Sequence, residues 1–112
     1  MQTALTATFE NLRERGGLKA SDVANITGKS PATVSRWTSG QSVPHPKTQI
    51  LISDLRYIVE LLADLYTAEE TRLWLYSRNP LLEDKRPIDL IFEKKADEVI
   101  AVIEQLSEGT YL

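Results

Sequence analysis

The side chains best placed to do chemistry are Ala32, Thr33, Arg36 and Ser39, which recur at helical spacing late in the stretch 21–40 of this 112-residue chain. One helical face then carries short hydroxyls, a methyl group and a guanidinium. Such a set makes hydrogen bonds and close apolar contacts and breaks no covalent bond. A short helix with a small, hydrogen-bonding outer face fits the major groove of DNA. The groups that catalysis needs are sparse by contrast. His45, the sole histidine, sits between Pro44 and Pro46 and reads as a solvated turn residue. Glu69–Glu70 and Glu83–Asp84 suit helix N-terminal electrostatics and solubility. Helical neighbours point about 100° apart, so Glu69 and Glu70 do not form a facing acid and base. No glycine-rich phosphate loop, nucleophile elbow or metal-ligand spacing is present. The chain is expected to be a binding protein with no enzyme activity, no metal and no cofactor.

The elements that must hold that outer face are two short helices and a turn. Ser21 is positioned to cap the first, its oxygen accepting from an orphan amide. Val23, Ala24 and Ile26 give it a small apolar face, and Gly28 supplies a turn where a positive φ is free of strain. Ser30 caps the second helix, with Pro31 at the position where a missing N–H is harmless. Val34 and Trp37, three apart, turn inward together, and Gly40 ends the helix.

Continued through Gln41-Ser-Val-Pro44, this phrase resembles the helix-turn-helix of the Xre (phage-repressor-like) family. The resemblance implies that the outer face of the second helix reads base edges while the turn and helix ends grip phosphates. Carried over position by position, it makes Ala32 and Arg36 base readers. Lys19, Ser30, Thr33 and Ser39 become phosphate contacts.

Charge divides along the chain in the same sense. Residues 1–50 hold six cations against three anions, and residues 51–112 hold seven against thirteen, within a net charge of −3. A basic N-terminal part favours phosphates, because neutralising them releases counterions. The acidic remainder needs another purpose, which argues for two functional regions. The absence of cysteine fits a reducing compartment. The first residues lack the basic region and apolar run of a signal peptide, and no stretch approaches the ~20 apolar residues of a membrane span. The expectation is a soluble cytoplasmic protein that engages no membrane.

No segment alternates over strand length, so an all-α fold of about seven helices is expected. A first helix covers Leu5–Arg15, stopped by Gly16-Gly17. After the hairpin, Pro44-His-Pro46 makes an elbow. A long helix from Lys47 to Leu65 carries Leu51, Leu55, Ile58, Leu62 and Leu65 in a stripe, widened by Ile50, Ile52, Val59 and Leu61. A helix apolar over so much of its girth serves a core, an interface or both, and both are expected, the interface being that of a homodimer. Thr67 and Glu70 form a capping box opening a helix that ends near Tyr76. An irregular segment Leu81–Arg86 follows. Pro87 begins a short helix with Ile88, Leu90, Ile91 and Phe92, and a last helix over Ala96–Glu108 buries Val99, Ile100, Ile103 and Leu106 before Gly109.

The segment from Leu73 to Leu90 contains a second phrase: Trp74, then Asn79-Pro-Leu-Leu82, then Pro87-Ile-Asp-Leu90. It resembles the toxin-binding domain of the Xre/MbcA/ParS antitoxins, and the closing Glu108-Gly109 with a few apolar residues fits that group too. The two motifs together span the chain from about residue 16 onward. The resemblance implies an antitoxin for a RES-domain toxin that degrades NAD, organised as a helix-turn-helix region over 1–46 and a dimerisation and toxin-binding domain over 47–112. It implies a type II antitoxin that covers the toxin's active-site cleft with its C-terminal region and represses its own operon, as a homodimer within a larger hetero-oligomer. The implied toxin contacts are Trp74, Tyr76, Arg78, Asn79, Leu82, Arg86, Glu108, Gly109, Thr110, Tyr111 and Leu112. A tail offering an aromatic ring, an apolar group and a carboxylate suits a cationic pyrophosphate pocket, with Glu104 and Glu108 on the approach. From the residues themselves, Trp74, Leu75, Leu81 and Leu82 fit core roles first, which interface roles do not exclude. Two alternatives remain: a stand-alone transcriptional regulator with a dimerising or ligand-sensing C-terminal part, or an interaction module whose hairpin no longer binds DNA.

Overall fold

Helix boundaries fall where side chains or glycines satisfy the orphan backbone groups. In the computed structural model, which describes residues 3–109, helix α1 (Ala4–Gly16) starts where the Thr3 hydroxyl accepts the Thr6 N–H at 3.1 Å. It ends where Gly17 adopts a φ of 62°. Gly16 is therefore the last helical residue rather than a stop. A Cβ there would stand 3.0 Å from Val59 Cγ2, so its bareness lets α1 lie close against α4 (Pro46–Ala63). Arg56 of α4 donates to the Thr8 hydroxyl at 2.9 Å across the same seam. Between them lie α2 (Ala20–Thr27) and α3 (Pro31–Thr38). After α4 come α5 (Ala68–Tyr76), a 3-10 turn Pro80–Leu82, α6 (Pro87–Phe92) and α7 (Ala96–Ser107). Among the described residues there is no strand, only an isolated bridge between Asn79 and Lys85. The all-α, seven-helix expectation is met.

Helix α4 is the axis of the molecule, contacting α1, α2, α5, α6 and α7. Ile52, Leu55, Ile58, Val59 and Leu62 are buried in one continuous core with Leu12, Ile26, Val34, Leu75, Leu90 and Ile103. The remaining apolar positions of α4 divide. Leu51 and Leu61 are half-buried, while Ile50 is 63 % exposed and Tyr57 47 %. The helix starts one residue before the expected boundary, because His45 acts as its N-cap, Nδ1 accepting the Lys47 N–H at 3.2 Å. It stops at Ala63, leaving Leu65 outside and exposed. No helix of the described chain is long and apolar enough to cross a membrane.

Several local expectations need correction. Ser21 does not cap α2; it is exposed in the first turn, and the cap is made from the other direction, with the Lys19 N–H donating to Asp22 Oδ2 at 2.8 Å. Helix α3 ends at Thr38, two residues before Gly40, which takes a φ of 81° after Ser39. In α7 the buried set is Ala96, Val99, Val102 and Ile103, while Ile100 and Leu106 are only half-buried, because the face meeting α4, α6 and the 3-10 turn is rotated toward Val102. The irregular segment 81–86 is ordered, its backbone bonded back to Asn79.

Candidate functional site

The α2–α3 hairpin is built almost wholly by local rules. Gly28 takes a φ of 73° and donates to the Ala24 carbonyl at 2.9 Å, with Lys29 donating to the same oxygen at 3.1 Å. A Cβ on Gly28 would sit 2.7 Å from Phe92 Cε1, so packing as well as conformation demands glycine. Ser30 Oγ accepts the Thr33 N–H at 3.1 Å, a cap stabilising α3 by about 1 kcal/mol. Val34 and Trp37 are buried, which turns Ala32, Ser35, Arg36 and Ser39 outward.

On that outer face a short chain of hydrogen bonds orients the one long donor. Ser30 and Thr33 hydroxyls lie 2.9 Å apart, and Arg36 Nη2 donates to Thr33 Oγ1 at 3.2 Å. Ser39 Oγ donates to the Arg36 carbonyl at 3.2 Å. Lys19 shares a shallow hollow with Thr38, beside the C-terminal end of α3, while Ser30 stands at the opposite end. The predicted phosphate contacts thus bracket the predicted base readers. Ser35, which sequence reasoning passed over, is exposed on the same helix.

The predicted partner-binding segment is built differently. Thr67 and Glu70 exchange hydrogen bonds at 3.2 and 2.9 Å to open α5. Leu75 points into the core, Trp74 is half-buried against it, and Leu73 stands 66 % exposed. Beyond α5, Asn79 is the pivot of a tight loop. Its side chain accepts the Leu81 N–H at 2.9 Å, its carbonyl accepts from Leu82 and Asp84, and its N–H donates to Lys85. Leu82 is buried beneath the loop, and Leu81, expected in the core, is half exposed on it. Glu83 and Asp84 both take positive φ, at 57° and 64°. Arg86 makes a forked pair with Asp89 at 2.9 and 3.0 Å, which raises the guanidinium pKa. Arg78 and Arg86 share a hollow with Asp84, Lys85 and Asp89. On α7, Gln105 lines a groove with Leu81 and Leu82, and Glu108-Gly109 follows one turn later. Thr110, Tyr111 and Leu112 lie outside the described residues.

Sequence reasoning missed the group between these two surfaces. Asp22 of α2 accepts from Tyr76 and Arg72 of α5, and Asn25 donates to the Tyr76 hydroxyl at 3.3 Å. Burial alone pushes the Asp22 carboxyl up, but the hydrogen bonds from Tyr76, the Lys19 N–H and Arg72 outweigh it and hold the pKa below the ordinary value. The Tyr76 hydroxyl moves up, through burial and then through its bond to Asp22. The available signal was an acidic residue at the third helical position, from which a side chain can reach back to the N-cap amide as it does in a capping box.

A helix-turn-helix domain model matches residues 4–74. The mycobacterial cidal antitoxin MbcA of Mycobacterium bovis and that of Mycobacterium tuberculosis are each 33 % identical over 108 residues, covering 96 % of this chain and 96 % of theirs. A chain in the crystal structure of the M. tuberculosis MbcT–MbcA toxin–antitoxin complex superposes with a TM-score of 0.87 at 32 % identity, over 99 % of this chain and 100 % of that one.

Proposed function

Since this chain belongs to the MbcA family of antitoxins and carries a helix-turn-helix domain, we propose that it is a type II antitoxin that neutralises a RES-domain, NAD-degrading toxin and represses its own operon. The observation that carries the reading is the whole-chain likeness to a chain of a toxin–antitoxin complex. The division of labour places DNA on residues 1–46 and dimerisation and toxin binding on 47–112.

At the operator, Arg36 and Ala32 meet base edges from α3. Lys19, Ser30, Thr33 and Ser39 hold phosphates at its two ends. The bond from Arg36 to Thr33 orients the guanidinium on the exposed face of α3, where a guanine edge can receive it. Two copies pair through α4, whose exposed Ile50 and Tyr57 lie seven residues apart on one face.

At the toxin, Trp74, Tyr76, Arg78, Asn79, Leu82 and Arg86 supply or shape the contact surface. Leu82 and Asn79 act from beneath, by holding the loop that presents Arg78 and Leu81. The segment Glu108–Leu112 covers the active-site cleft, with Tyr111 and Leu112 as ring and apolar plug. Glu104 on α7 and Glu108 just beyond its end, both exposed, face a cleft made cationic to bind a pyrophosphate. Inhibition is occupation of the cytoplasmic enzyme's pocket and needs no chemistry from this chain.

The test is co-expression with the adjacent reading frame. The pair should co-purify, and deleting Gly109–Leu112 should restore NAD consumption by the toxin. Separately, Arg36→Ala should weaken operator binding by about 1–3 kcal/mol while neutralisation persists. Failure of the two chains to co-purify sinks the antitoxin reading; operator affinity untouched by Arg36→Ala sinks the base-reading role.

A further inference from the structure

One buried charge joins the two surfaces. Asp22 is 2 % exposed, and every hydrogen bond it accepts fixes a helix. Oδ2 takes the Lys19 N–H at 2.8 Å and so sets the start of α2. Oδ1 takes the Tyr76 hydroxyl at 2.5 Å and the Arg72 guanidinium at 3.1 Å, both from α5. Arg72 also lies over the Tyr76 ring, 4.7 Å from its centroid. The node therefore ties the DNA-reading hairpin to the helix that leads into the partner-binding loop.

Two features give that tie a consequence. Tyr76 is the last residue of α5, and beyond it the chain turns toward Asn79. Tyr76 also lines a cleft of about 520 Å³ whose walls are Asn25, Gly28 and Lys29 of the hairpin and Arg86, Asp89 and Phe92 of the partner-binding segment. Whatever closes on Tyr76 and Arg86 meets the hairpin's turn across that cleft. A buried carboxylate holds its partners in a narrow geometry, because losing any one leaves charge unpaired, whereas apolar neighbours slide at little cost.

We propose that Asp22 is a positioning residue for both surfaces: it locks the α2–α3 hairpin to α5, so that toxin bound at Tyr76 and Arg86 changes the affinity of α3 for the operator. The proposal rests on the antitoxin and operator reading above. Reciprocity follows, since the operator must change toxin affinity by the same factor. Removing the lock leaves the hairpin its own caps at Gly28 and Ser30 and its own core residues. It should still fold and bind, but no longer respond.

Asp22→Asn tests this, because it preserves size and can still accept the Lys19 N–H while losing the charge that holds Arg72. Arg72→Gln is the milder companion, since Arg72 is half exposed and its loss leaves the core intact. The probe is a duplex covering the DNA upstream of the two reading frames, titrated with antitoxin alone and with saturating toxin. Toxin should shift operator affinity of the parent chain by about 5–150-fold. In Asp22→Asn that ratio should fall toward one, whatever the change in either affinity measured alone; Arg72→Gln should lie between. A ratio of one in the parent, or a ratio unchanged in both variants, overturns the proposal. Amide hydrogen exchange on the free antitoxin separates this from the underlying reading. Both variants should exchange faster in α2 and α3 and not in α7, whether or not any partner binds. Unchanged exchange in the hairpin overturns the lock itself.

Discussion

The bends between α2 and α3 and between α5 and α6 reverse the chain by opposite means. The first uses one glycine in the left-handed region, a serine cap and a proline at the first helical position, each at a site where it is relaxed. The second places two consecutive carboxylate residues, Glu83 and Asp84, in that same region and stitches the loop to Asn79. Each left-handed non-glycine costs of the order of 1 kcal/mol, and such residues persist only where surrounding contacts over-determine them. The helix-turn-helix bend is thus relaxed and presents small side chains. The bend after α5 stores strain and presents Leu81, Arg78 and Lys85, as a preorganised loop does.

The strongest way to break this contrast is to remove the relaxed turn's one requirement. Gly28→Val places a β-branched side chain at a φ of 73° and drives its Cβ into Phe92. The expected loss is about 2–4 kcal/mol, or a thermal midpoint lower by about 10–20 °C. Gly40→Ala is the control, because Gly40 has a φ of 81° but nothing within 4 Å of an added Cβ. Its cost should be the conformational part alone, about 1 kcal/mol. Equal melting temperatures for the two variants would mean that Phe92 moves aside freely and that the close approach has no energetic content.

The strained bend predicts the reverse sign. Glu83→Gly relieves a left-handed residue whose side chain is exposed. After the extra entropy glycine gives the unfolded chain, the net gain should be about 0.5 kcal/mol, visible as a rise of about 2–4 °C by calorimetry. A fall in stability instead would show that Glu83 is held there by a favourable contact, and the contrast between the two bends would disappear.

The same contrast explains what could be read from residues alone. Ser30, Pro31, Val34 and Trp37 act through neighbours within four positions, as Gly28 does in its conformation though not in its packing on Phe92, so spacing revealed both the hairpin and its outward face. The capping box at Thr67 was legible for the same reason. Asp22 was not, because its partners Arg72 and Tyr76 lie 50 and 54 residues away and no periodicity connects them. Ser21 looked like the better cap only because a hydroxyl before an apolar run is the commoner signal. Leu81 reads inward from its hydrophobicity, while tertiary packing chose its neighbour Leu82 for the core. The loop at 83–84 was unreadable in principle: nothing in Glu-Asp announces a left-handed turn, which surrounding contacts impose.

The smallest expected effect sets the two buried-side carboxylates against each other. Asp22 is held below its ordinary pKa, so it stabilises the fold above about 3.8 and loses that contribution as pH falls through its folded value. Asp54 on α4 is shifted the other way, by burial and then by the negative charge of Asp97 at the start of α7. Its raised pKa means the folded state binds the proton more tightly. The stabilising form is therefore the protonated one, present below 3.8 and lost as pH rises through the folded value. At neutral pH the ionised Asp54 is a burden. Asp54→Asn should make the chain more stable at pH 7 by about 0.2–0.5 kcal/mol, the size of a like-charge pair on a helix surface. Its advantage over the parent should shrink as pH falls and vanish below about 3.8. Because Asp22 is common to both chains, its own acid titration cancels in the difference, so urea melts of the two proteins at pH 7 and pH 3 isolate the α4–α7 repulsion. An advantage that persists at pH 3 would assign the gain to something other than the charge of Asp54.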